Sequence, residues 1–145
     1  MKPRLVDLAI VLGRVGLGGL LILAGMLKAR APGAFATEIA NYQLWPAVAP
    51  YVAATLPMIE LGLGVALIAA PRGWRRAAAF GAALLLAGFT FAVGSVYFRG
   101  LNIDCGCFGT GGGPITFVTI LRNLTLLGVA LALVRFQAPR AGDQA

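Results

Sequence analysis

"AAAFGAALLLAGFTFAVGSVYF", residues 77–98, is 22 residues long and carries no charge. As a helix it would rise about 33 Å at ~1.5 Å per residue, enough to cross a hydrocarbon core about 30 Å thick. In lipid its backbone polar groups must be satisfied within the segment, and a helix does that. The stretch is therefore predicted to be a transmembrane helix.

Three further runs have comparable length. Leu5–Leu27 is interrupted by Arg14, Ala47–Ala70 contains Pro50, Pro57 and Glu60, and Ile115–Val134 contains Arg122 and Asn123. With 59% hydrophobic and 12% charged residues in 145, the composition excludes an ordinary soluble domain. The predicted fold is an all-α, four-transmembrane-helix bundle in the lipid bilayer. Its helices run over about 5–27, 47–70, 77–98 and 115–134 in a single domain, 1–145, with 136–145 as a disordered tail. Met1-Lys2-Pro3-Arg4 resembles the basic start of a signal peptide, but the apolar run after it exceeds the usual ~7–15 residues. A retained helix is expected.

The net charge of +7 does not point to nucleic acid, because its distribution matches a membrane topology. Lys2, Arg4, Arg72, Arg75, Arg76, Arg135 and Arg140 fall on one side of the predicted bundle, against Lys28, Arg30 and Arg99 on the other. The positive-inside rule then places both termini in the cytoplasm. The loops around residues 28–46 and 99–114 face outward, on the periplasmic or extracellular side of a bacterial inner membrane.

Small residues recur four apart in every run: Ala9/Gly13, Gly62/Ala66/Ala70, Ala79/Ala83/Ala87 and Gly128/Ala132. Such spacing lets membrane helices approach closely. The short "PRGWRR" connection, residues 71–76, makes the second and third helices antiparallel neighbours. In the first outer connection Phe35, Ile39 and Tyr42 recur at i, i+4 and i+7, with Glu38 and Asn41 on another side. That segment reads as a short amphipathic helix on the membrane surface, ending at Trp45-Pro46, or as a solvated loop.

Arg14, Glu60 and Arg122 sit inside apolar runs, where an unpaired charge costs several kcal/mol. Counted inward from the cytoplasmic ends, they are expected at about the same depth, with Asn123 beside them. The group reads as a buried ionic clamp, or as an intramembrane polar site for a proton, an anion or a quinone head group.

"NIDCGCFGTGGGP", residues 102–114, holds both cysteines of the chain, Cys105 and Cys107. Three readings are open. A disulfide between i and i+2 closes a small ring, expected to be strained, exposed and easily exchanged, with Gly106 supplying the unusual backbone angles. Arg99 nearby would favour a thiolate and Asp104 would oppose it. Alternatively, two thiolates would hold a soft metal ion such as Cu(I) or Hg(II) in a binding or transport protein. In the third reading the cysteines are inert turn residues of a non-catalytic membrane scaffold. A closed zinc site would need four ligands, and the chain has no histidine. The oxidising outer compartment favours redox chemistry.

"DCGCFG" (104–109), preceded by Arg99-Gly100 and followed by "RNL" (122–124), resembles the MauE branch of the DoxX-like membrane proteins. Gly25 and Lys28, Asn41-Tyr42 and "LPMIELGLG" (56–64) extend the resemblance over the whole chain. It implies a redox-associated inner-membrane protein of methylamine utilisation. Such a protein would work beside a periplasmic thioredoxin-like partner in maturing the disulfide-rich small subunit of methylamine dehydrogenase. The residues implied are Cys105 and Cys107 as a thiol–disulfide oxidoreductase pair, framed by Gly106, Phe108 and Gly109, with Lys28, Asn41 and Tyr42 on the outer face and Glu60 and Arg122 in the membrane.

Overall fold

The computed structural model describes residues 3–106 and 113–137. Five α-helices follow in order: α1 Pro3–Arg30, α2 Pro32–Asn41, α3 Ala49–Ala69, α4 Arg72–Phe98 and α5 Phe117–Phe136. A one-turn 3-10 helix, Pro46–Val48, leads into α3. Helices α1, α3, α4 and α5 are long and apolar enough to cross a membrane, so the chain is an all-α protein with four membrane-spanning helices.

Prolines set several boundaries. Pro32 occupies the start of α2, where its missing N–H costs nothing. Ala70 is extended (ψ 160°) because the residue before Pro71 is pushed out of the helical region, and α3 stops there. At the start of α5 the Thr116 N–H donates to Thr119 Oγ1 at 3.3 Å.

The segment between α1 and α3 forms the expected short helix, α2, which buries Phe35 and leaves Asn41 exposed. Large apolar side chains such as Leu12, Phe91 and Val118 are exposed on the spanning helices, as lipid-facing positions should be.

Helices α1 and α3 run antiparallel along a seam of glycines. A Cβ on Gly64 would lie 2.6 Å from the Gly18 carbonyl oxygen, and one on Gly25 would lie 2.8 Å from that of Pro57. Backbone cannot yield at such distances, so the seam requires glycine. The expected seam residue Gly62 is instead exposed with nothing near it, and so is Gly128 on α5. Each lies two positions from a buried residue of its helix, Gly64 and Ala130 respectively.

Helix α4 packs against α3 and α5, and α1 against α3 and α5, which closes a four-helix ring. One half of the ring is an apolar core: Ala78, Ala79, Ala82, Ala83 and Leu86 of α4 meet Leu17, Leu21, Leu67, Ala130 and Leu133. The other half holds the buried polar residues.

Candidate functional site

The α1–α3 seam places Lys28 against Glu60. Lys28 Nζ donates to Glu60 Oε1 at 2.5 Å, and both side chains are about 1% exposed. The ammonium also lies 4.9 Å from the Phe89 ring centroid and 5.5 Å from that of Phe35. Both are within cation–π range, where desolvation strengthens the attraction. Glu60 Oε2 and Asn123 Nδ2 are buried without a hydrogen-bond partner. Both residues line a cavity of about 30 Å³ at the centre of the ring, enough for a bridging water.

This arrangement corrects the expected grouping of Arg14, Glu60 and Arg122 at one depth, and the expected outer-face position of Lys28. In the observed register Gly25 is opposite Pro57 and Leu61, whereas Gly18 is opposite Gly64 and Ile68. Lys28 therefore reaches Glu60. Arg14 lies four residues before Gly18 on α1, in the half that holds the apolar core, and a charged neighbour there is Arg75. Arg122 points elsewhere, to Cys105.

Beyond α4 the chain turns at Gly100 (φ 69°) and folds back on itself. The Cys105 N–H donates to the Gly113 carbonyl at 3.0 Å and the Ile115 N–H to that of Ile103 at 3.2 Å, with Asp104 bridged to Pro114. Cys105 is disulfide-bonded. It is 5% exposed, so the expected exposed position does not hold for this half of the pair. Cys107, Phe108 and Gly109 lie outside the described residues.

Cys105 is held by Tyr42, just past the end of α2, and by α5. The Tyr42 hydroxyl donates to the Cys105 carbonyl, and the Arg99 guanidinium, itself exposed, donates to the Tyr42 carbonyl. From α5, Arg122 donates to Cys105 Sγ at 3.7 Å. Burial and the nearby Glu38 charge push the Tyr42 phenol up to about 12, partly offset by Arg122. The phenol is therefore a hydroxyl donor at neutral pH.

Glu38 was visible only as a polar residue of α2. Its carboxylate packs on the glycine between the cysteines: a Cβ on residue 106 would lie 2.5 Å from Glu38 Oε2. Gly106 has φ 64°, a left-handed angle that favours glycine, and its missing Cβ leaves the room that the Glu38 carboxylate occupies. Burial and then Asp104 raise the Glu38 carboxyl above the ordinary carboxylate range, with Lys28 opposing. A sequence signal existed, since Phe35, Glu38 and Tyr42 at i, i+3 and i+7 share a helix face.

Above the Lys28 pair lies an apolar pocket of about 200 Å³ that reaches the cysteine loop. Phe35 and Ile39 of α2 line it with Tyr42, Trp45, Phe89, Cys105 and Gly106. Phe89 borders both this pocket and the central cavity. Nothing in the apolar run 77–98 marked Phe89 out from its neighbours.

Comparison with known proteins bears on this site. The family described as "Methylamine utilisation protein MauE" matches residues 6–136. The chain is 36% identical over 122 residues to methylamine utilization protein MauE of Paracoccus denitrificans, covering 83% of this chain and 65% of that protein. It is 39% identical over 116 residues to the protein of the same description from Methylophilus methylotrophus, covering 77% and 60%. The chain thus spans less than two thirds of the length of either relative. No solved structure matches.

Proposed function

Because this chain belongs to the MauE family of methylamine utilisation proteins, we propose that it serves methylamine utilisation as a membrane-bound thiol–disulfide redox protein acting on a thioredoxin-like partner. The observation that carries the reading is the disulfide at Cys105, held in a hydrogen-bonded loop with a guanidinium 3.7 Å from its sulfur.

The chemistry is a two-step exchange with Cys107, the one other cysteine of the chain. A thiolate of the partner attacks the Cys107 sulfur, the Cys105–Cys107 bond breaks, and a mixed disulfide forms. Cys105 leaves as a thiolate, which Arg122 stabilises by charge-assisted hydrogen bonding. The second partner thiol then resolves the mixed disulfide. Two electrons and two protons pass to the pair and the partner becomes oxidised; the reverse direction uses the same steps. Cys105 is given the inner role because it is buried, with Tyr42 and Arg122 against it.

The loop is assigned to the periplasmic side of a bacterial inner membrane. With Lys28 buried and paired, only Arg30 and Arg99 remain of the outer cations against the seven on the inner side, which strengthens the positive-inside argument.

Trapping tests the reading. Cys105→Ser should accumulate a mixed disulfide between Cys107 and a thioredoxin-like protein in cells, and Cys107→Ser should not. Equal trapping by the double-serine protein would refute it. Loss of both thiols to alkylation on adding Cu(I), without any reversible disulfide, would instead favour metal handling.

A further inference from the structure

Glu38 has no place in the exchange just described, yet its carboxylate lies against the backbone that joins the two cysteines. Its Oε2 is shielded from solvent and has no hydrogen-bond partner. A buried carboxylate oxygen without a donor is costly, and such groups are kept where they are used. Glycine at 106 leaves the room that the carboxylate occupies, since a Cβ there would lie 2.5 Å from Oε2.

We propose that Glu38 is the proton donor and acceptor for Cys105 as its disulfide opens and closes. This rests on the thiol–disulfide reading above. When the disulfide opens, Cys105 departs as a thiolate and takes the Glu38 proton, leaving a carboxylate. When the disulfide re-forms, the carboxylate removes the thiol proton as the sulfur attacks. The electrons come from, or return to, a protein dithiol, and the Glu38 proton is exchanged with water between cycles.

The surroundings suit that role. The charged and titratable groups that act on Glu38 are Lys28 of α1, Asp104 of the loop and Tyr42 just past the end of α2. Behind them lie Glu60, which holds Lys28, and Arg99 and Arg122, which hold Tyr42 and Cys105. Burial and Asp104 favour the protonated acid, whereas Lys28 limits the shift by favouring the carboxylate. An upward shift moves a carboxyl closer in proton affinity to a thiol, which favours exchange of a proton between them.

The test is the pH profile of disulfide opening and closure in purified full-length protein in detergent, with dithiothreitol and oxidised glutathione as probes. Rates of opening are divided by the thiolate concentration of the probe. The wild type should open more slowly as pH rises through the Glu38 titration. Glu38→Gln should lose that step and close more slowly by about 10²-fold, the lower edge of what a positioned acid–base group supplies. Glu38→Asp should keep the pH step and part of the rate, which guards against a folding defect in the amide variant. A wild-type pair that cycles reversibly, with unchanged profile and rate in Glu38→Gln, would overturn the role of Glu38 alone. A pair that never cycles in the wild type would overturn the redox reading and this inference together.

Discussion

Lys28 Nζ and Glu60 Oε1 meet at 2.5 Å inside the helix ring, and neither side chain is more than about 1% exposed. The pair joins α1 to α3 beneath the cysteine loop, with Phe35 and Phe89 against the ammonium. Breaking a buried pair from one side leaves an uncompensated charge, typically at a cost of about 3–5 kcal/mol. Lys28→Met or Glu60→Met alone should therefore sharply lower the unfolding midpoint in detergent. The double Met variant should recover most of it, because both charges then disappear together. Additive losses in that double-mutant cycle would show that the two residues act independently.

The glycine seam makes a second prediction with a built-in control. Gly64→Ala places a methyl 2.6 Å from the Gly18 carbonyl oxygen, whereas Gly62→Ala meets nothing within 4 Å. Overpacking of this kind costs about 1–3 kcal/mol. Thermal unfolding should separate the two variants, with Gly62→Ala indistinguishable from wild type.

Tyr42 gives the loop an alkaline limit. Its phenol is raised to about 12 in the folded chain, against about 10 for an unperturbed tyrosine. A raised pKa means that the folded state holds its proton more tightly. That stabilisation is complete below about pH 10 and is lost as pH climbs toward about 12. Disulfide reduction by dithiothreitol should accelerate over that window beyond what the reagent's own ionisation explains. Tyr42→Phe removes the hydrogen bond to Cys105, worth about 0.5–1.5 kcal/mol, and should be faster at every pH, without the alkaline step.

Arg122 should be read out by thiol reactivity. In a Cys107→Ser background Cys105 is a thiol, and the guanidinium beside its sulfur supports the thiolate. Arg122→Gln should slow iodoacetamide alkylation at pH 7 by about tenfold, the effect of one unit in thiol pKa. Arg122→Lys, which keeps the charge but not the fork geometry, should fall between. Unchanged alkylation in both would remove Arg122 from the exchange step.

The four spanning helices and α2 were legible in the sequence because their signals are local. A run of about 20 apolar residues has few alternatives in lipid, and Phe35, Ile39 and Tyr42 repeat with the helical period. The cysteine loop was equally legible, since Cys105 and Cys107 are the only thiols and stand in a polar gap. What stayed hidden depended on contacts between distant segments. Counting from helix ends placed Arg14 beside Glu60, but close approach at Gly18, Gly25 and Gly64 sets the register and delivers Lys28 instead. The cover that Tyr42 and Arg122 place over Cys105, and the seat of Glu38 on Gly106, likewise join residues far apart in the chain. Hydropathy determines which segments enter the membrane and says little about how they slide and rotate against one another. Backbone-to-backbone packing decides that, and with it which charges meet.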